Sequence, residues 1–275
     1  MKIEELMKAA EQGDAYAQFN LALCYEKGKG VEKDLAKAVE WYTKAAEQGD
    51  ADAQFYLAGC YYGGEGVEQD FGKEVYWCTK AAEQGCADAQ FNLAVHYDNG
   101  EGVEQDFEKA VYWYTKAAEQ GHAGAQNNLA DLYYYGEGVE QDYIKAVEWY
   151  TKAAEQGDAY AQFNLAVHYD KGEGVEQDYE KAVYWYTKAA EQGFARAQNC
   201  LAVRYYKGEG VEQDCEKAVY WYTKAAEQGH ADAQNNLGVC YENGNGVEQD
   251  YEKADYWYAK ADENEEDFYY HLNNR

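Results

Sequence analysis

The sequence predicts an all-α solenoid of stacked helix hairpins, and three observations predict it. Marker residues recur every 36 positions, each period holds two helical apolar stripes, and the chain has no proline and no segment of strand character. The glycine closing KAAEQG falls at Gly13, Gly49, Gly85, Gly121, Gly157, Gly193 and Gly229. The seven tryptophans, from Trp41 through Trp77 to Trp257, keep the same step, as does a double-glycine loop from Gly28/Gly30 through Gly64/Gly66 to Gly244/Gly246. The nonapeptide WYTKAAEQG at 41–49 returns unchanged four more times and once, at 77–85, as WCTKAAEQG.

Taken in order, residues 1–12 match the second half of a repeat and are expected to form an N-terminal capping helix. Seven repeats follow at 13–48, 49–84, 85–120, 121–156, 157–192, 193–228 and 229–264, then an acidic, aromatic tail at 265–275. Within the fifth repeat, Gln162, Leu165, Ala166 and Tyr169 share one face of a first helix, with Asp158 as N-cap and Gly172 able to take positive φ past its end. After the loop GEGVEQD, Asp178 caps a second helix whose apolar stripe runs through Tyr179, Ala182, Val183, Tyr186, Ala189 and Ala190, widened by Trp185 and ended by Gly193. Helices of about 13 residues are marginal alone. Their apolar faces are covered only when the next hairpin stacks on them. The identical letters therefore report a shared packing environment and carry no sign of catalysis.

A hydrophobic content of 47% is enough for a packed core, and a formal charge of −28 disfavours nucleic acid and anionic membranes as partners. That charge fits a basic partner or simply a solvated acidic surface. No apolar stretch reaches the length of a membrane span, and the start MKIEELMKAAEQG has no signal-like apolar region, so a cytoplasmic location is expected. The seven cysteines (Cys24, Cys60, Cys78, Cys86, Cys200, Cys215, Cys240) are irregularly spaced, unlike a disulfide framework or a CxxC zinc pair, and are expected as free thiols.

The pattern AxAQxxLAxxYxxGxGVEQDxxKAxxWYxKAAEQG resembles the Sel1-like repeat, a relative of the tetratricopeptide repeat, over nearly the whole chain. The resemblance implies a right-handed superhelix of antiparallel helix pairs, with the first helix of each pair lining the concave side. It also implies the work of a non-catalytic scaffold or adaptor for other proteins. Many such repeats carry proline in the loop where this chain has Glu104, an exchange worth about 0.4–1 kcal/mol of loop stiffness. Cysteine-rich relatives bridge their helix pairs; the cysteines here do not recur at paired positions, so that bridging does not carry over.

Where sameness reports the core, difference reports the surface. First helices vary most along one stripe containing Tyr160, Phe163, Val167 and Lys171, at spacings of i, i+3, i+7 and i+11. Its counterparts include Tyr16, Phe19, Phe55, Phe91, Gly59, Asp131 and Gly63. In related tetratricopeptide grooves the matching positions face the concave side, which makes this the predicted partner-binding surface. An asparagine ladder (Asn20, Asn92, Asn128, Asn164, Asn236) accompanies it, interrupted by Tyr56 and Cys200. A carboxamide both donates and accepts, so it can hold an extended peptide backbone; contact with the next repeat is an equally open reading. The phenylalanines are either anchors for apolar side chains or inter-repeat packing. Arg196 and Arg204, with Lys207, stand out in the sixth repeat as a candidate anion site or as partners for neighbouring acids.

Other chemistry finds little support. The GxG loops lack a preceding strand and a GK[ST], and carboxylates such as Glu101, Glu104 and Asp106 lack calcium-loop spacing. Of the histidines His96, His122, His168, His230 and His271, the pair His96 and His168 occupy equivalent positions two repeats apart, too far to share a metal or a proton. No metal, cofactor or catalytic group is expected. The second-helix tyrosines Tyr76, Tyr112, Tyr184, Tyr220 and Tyr256 read as a convex contact surface or as amphipathic cover. The expected function is a scaffold holding a peptide or basic protein on the first-helix face; the alternative is a dedicated inhibitor, of the immunity-protein type, that occludes a cationic target.

Overall fold

A computed structural model describes the backbone of residues 2–273 and the side chains of 2–264. His271 and the other side chains of the 265–275 tail lie outside the described residues. All regular structure among the described residues is α-helical, fifteen helices in two compact units. Met1–Gln141 holds α1 (Ile3–Glu11), α2 (Ala15–Lys27), α3 (Leu35–Glu47), α4 (Ala51–Gly63), α5 (Phe71–Glu83), α6 (Ala87–Asn99), α7 (Phe107–Glu119) and α8 (Ala123–Tyr135). Asp142–Arg275 holds α9 (Tyr143–Glu155), α10 (Ala159–Lys171), α11 (Tyr179–Glu191), α12 (Ala195–Lys207), α13 (Cys215–Ala226), α14 (Ala231–Asn243) and α15 (Tyr251–Asn273). Within each compact unit every helix packs on the helix before and after it, the all-α repeat fold that the period predicts.

The helix ends follow the local chemistry of their residues. The carboxylate of Asp158 accepts from the Ala161 N–H, and Gly172 closes α10 in the left-handed conformation. Asp178 accepts from the Lys181 N–H at 3.0 Å to start α11. The loop between them is tied by the Asp178 N–H donating to the Tyr169 carbonyl and by the Gln177 amide donating to the Asp170 carbonyl. The second loop glycine answers a different need. A Cβ on Gly66, at φ +74°, would lie 2.3 Å from the Leu35 carbonyl oxygen, so the loop rests directly on the first turn of the preceding repeat's second helix.

The core is built of the repeated letters. Leu21, Leu57, Leu93, Leu165, Leu201 and Leu237 are fully buried, among alanines that bring the helices close. Tyr42, Tyr114 and Tyr186, the tyrosine of WYT, are the largest fully buried side chains. Tryptophan is shared between layers: Trp41 packs against the cluster around Leu6 and Leu21 and also against that around Tyr42 and Leu57. A buried glutamine joins consecutive repeats. Gln54 donates from Nε2 to the Ala46 carbonyl at 3.0 Å, adding a second donor to a carbonyl at the end of α3 that the Gly49 N–H already reaches, and its Oε1 accepts from Gln84 at 2.8 Å. The same rung recurs at Gln18, Gln90, Gln162 and Gln198. This explains both the core glutamine of AQxxLA and the exposed glutamine of AEQG.

Candidate functional site

Within the first compact unit, the first helices α2, α4, α6 and α8 carry the variable stripe. Tyr16 is 68% exposed. Phe19 lies partly buried between Tyr42 (ring centroids 5.9 Å apart) and Tyr56 (5.4 Å), and Tyr56 stacks on Tyr42 at 5.6 Å. Phe55 meets Tyr56 edge-on, and Phe91 stacks on His122 of the next repeat at 4.4 Å. These phenylalanines therefore combine inter-repeat packing with a partly open edge. The asparagines are half-buried. Asn20 donates to the Tyr16 carbonyl of its own helix at 2.8 Å. Asn128 donates to the Tyr114 hydroxyl at 3.0 Å, and that hydroxyl donates to Asp98 at 3.1 Å. Tyr42 donates likewise to Glu26, and burial together with that carboxylate pushes its phenol far above the ordinary range.

In the second compact unit Tyr160 is 63% exposed and meets Phe194 edge-on; Phe163 packs against Tyr186 and Phe194. Asn164 is half-buried, and Asn236 donates to Asn199 at 3.2 Å. The two arginines are not brought together. Arg196 is exposed and lines a shallow hollow of about 500 Å³ with Tyr160, Phe194 and His230. Arg204 is 14% exposed, paired with Asp170 at 3.0 Å and with Glu209, its guanidinium over the Tyr179 ring. Its charge is thus taken up by neighbouring acids, the second of the two roles that the sequence leaves open.

A concavity of about 790 Å³ opens between α4 and α6 and gathers Phe55, Tyr56, Phe91 and Asn92 from the predicted stripe. Substitutions confined to this repeat lie at or near it, Gly59 and Glu74 in its lining. Cys78 stands where Tyr42 and Tyr114 fill the neighbouring repeats, and Gly59 stands where they carry Leu23 and Val95. Glu74 replaces an alanine found at Ala38 and Ala110. Its side chain is 5% exposed and hydrogen-bonds through Oε1 to His96 Nε2 at 2.6 Å. His96 Nδ1 faces the Glu101 carbonyl at 2.8 Å and can only donate there, so a 2.6 Å contact at Nε2 requires a proton between imidazole and carboxylate. Burial pulls the His96 pKa down, but the Glu74 hydrogen bond and charge, with the Glu101 carbonyl, more than offset it, and the net shift is upward. His168 occupies the equivalent place in a repeat that carries Ala146 at the position of Glu74, its Nδ1 likewise 2.7 Å from the Glu173 carbonyl, and burial leaves its pKa lowered.

Sequence reasoning sets His96 and His168 apart as a pair too distant to share a metal or a proton, and both are fully buried, at 3% and 2% exposure. It misses Glu74 altogether. The signal was present, since Glu74 breaks an alanine column on the helix that also carries the one altered nonapeptide. Among the described residues no group of three or more His, Cys, Asp or Glu side chains is placed to hold a metal ion, and no helix is long and apolar enough to cross a membrane. The seven cysteines are free, and burial pushes the thiol of Cys78 up to about 12.

The Sel1 repeat matches the chain at 15–50, 51–86, 87–122, 123–158, 159–194, 195–230 and 231–261. No curated protein matches it. Among solved structures, the chain is similar to a protective antigen of uropathogenic Escherichia coli that displays this repeat fold, at 41% identity and a TM-score of 0.90 over 96% of the chain. The chain spans 56% of that protein's length. It is also similar to a Sel1 repeat protein from Oxalobacter formigenes, at 38% identity and a TM-score of 0.77, covering 95% of this chain and 75% of that one. Proteins built of these repeats generally mediate protein–protein contacts. Seven matched repeats, two solved structures of the same repeat type and a core made of the repeated letters lead to one conclusion: the chain belongs to the Sel1 repeat family.

Proposed function

We propose that the chain is a protein-binding scaffold that holds a basic segment of a partner along its first-helix face. The observation that carries this reading is the division of labour between residues. The core leucines shared by the repeats, such as Leu57, Leu93 and Leu201, are fully buried, whereas the copy-specific side chains Tyr16, Tyr56, Tyr160 and Arg196 are exposed on the first helices. A net charge of −28 favours a cationic partner and speeds its approach. Half-buried asparagines beside open aromatic edges suit an extended chain, the amides meeting its backbone and the rings its side chains.

The test is a panel of peptides graded in net charge, titrated against the wild type and against Asn92→Ala/Asn128→Ala/Asn164→Ala, both first shown to be folded by circular dichroism. Basic peptides bind best, their affinity falls with salt, and the triple variant binds roughly tenfold more weakly. Equal binding by the two proteins moves the site off the asparagine ladder. Binding confined to one cationic enzyme, with loss of that enzyme's activity, replaces the scaffold by an occluding inhibitor.

A further inference from the structure

Resting on that reading, we propose that the hollow between α4 and α6 seats an arginine side chain of the partner, a guanidinium on its aliphatic stem. The floor supplies the first reason. Glu74 is 95% buried, its Oε1 is taken by His96, and its Oε2 has no hydrogen-bond partner. A buried carboxylate oxygen without a donor is costly, and a structural Glu74–His96 pair accounts only for the other oxygen. An incoming N–H donor completes the set. The rim supplies the second. Glu26, Glu65 and Glu101 also line the hollow, and no lysine or arginine does. The walls supply the third. Phe55, Phe91 and Val95 offer apolar surface to a stem and ring faces to a planar, weakly hydrated cation, which favours guanidinium over ammonium.

His96 makes the site sensitive to protons. The imidazolium and the guanidinium compete for one carboxylate, so occupancy favours the neutral ring, and binding tightens as pH rises through the raised His96 pKa. The other titratable groups beside the pair are Glu26, Glu65 and Glu101, the thiols of Cys60 and Cys78, which burial pushes up to about 11 and 12, and the phenols of Tyr56 and Tyr62.

The experiment titrates Nα-acetylarginine methylamide, with its citrulline and lysine counterparts, into the full chain by NMR. The same titrations are run on Glu74→Gln and on Cys78→Tyr, which restores the residue of Tyr42 and Tyr114 and whose larger ring is expected to reach into the hollow. The expected result is a Kd on the order of millimolar for the arginine derivative in the wild type. The citrulline derivative and the Glu74→Gln protein give binding weaker by roughly tenfold, and Cys78→Tyr gives none. No binding at about 20 mM, equal binding of citrulline or lysine derivatives, or undiminished binding in a folded Cys78→Tyr protein overturns the proposal. Basic peptides separate this result from the broader reading: if they bind Cys78→Tyr as well as wild type, the hollow falls and the first-helix face stands. If they bind neither protein, the first-helix face falls.

Discussion

His96 and His168 sit at one position of the repeat with pKa values shifted in opposite directions: Glu74 hydrogen-bonds His96, whereas the repeat of His168 carries Ala146 at the position of Glu74 and burial prevails. Ring-proton NMR of the folded chain should show His96 titrating above the ordinary 6.5 and His168 below it. The consequences for stability have opposite signs. His96 contributes stability that is complete below 6.5 and is lost as pH rises through its raised folded value. His168 contributes stability that is present above 6.5 and is lost as pH falls towards its lowered value. In Glu74→Ala the His96 value should fall from its raised level; a His96 that keeps that level would place the cause elsewhere. Residue-scale chemistry of this kind was only half legible in the sequence. The letters Glu74, Cys78 and Gly59 were visible as departures from the repeat, but their meeting with His96 depends on three helices converging, which no spacing rule encodes.

Helices, by contrast, were legible nearly to their ends, because capping is local. Asp158, Gly172 and Asp178 act where periodicity and cap chemistry put them. The exceptions are informative. All seven second helices, from α3 to α15, begin with an aspartate accepting a backbone N–H, but the first helices α6 and α12 begin at Cys86 and Phe194 with no side-chain cap. Phe194 is held by packing against Tyr160 and Phe163, so its loss would cost more than a cap returns. Cys86 is a smaller, partly buried side chain at the edge of the cluster around Cys78 and Leu93, with less packing to lose. Cys86→Asp should therefore stabilise the chain by about 1 kcal/mol in urea denaturation. An unchanged midpoint would mean that the α6 amides are already satisfied by water.

At the scale of the whole molecule, composition sets the electrostatics. The Lys–Asp pairs at the second-helix starts, such as Lys37–Asp34 at 3.2 Å, are exposed and neighbouring in sequence, so each adds little. Repulsion among 52 acids against 24 bases then dominates, and added salt should raise the urea midpoint between about 0.02 and 0.3 M NaCl. A midpoint that falls with salt would show that attractive pairs prevail. The all-α repeat fold and its period were fully legible at this scale, since seven copies average away the noise of any one. The glutamine rung has a further outcome, one that concerns inheritance. Wherever it recurs within a compact unit, the same two amides close the joint, so a joint holds no record of how many precede it. A gene that slips by one 36-residue period during recombination would rejoin without a mismatched seam, which leaves copy number free to vary while the local architecture persists.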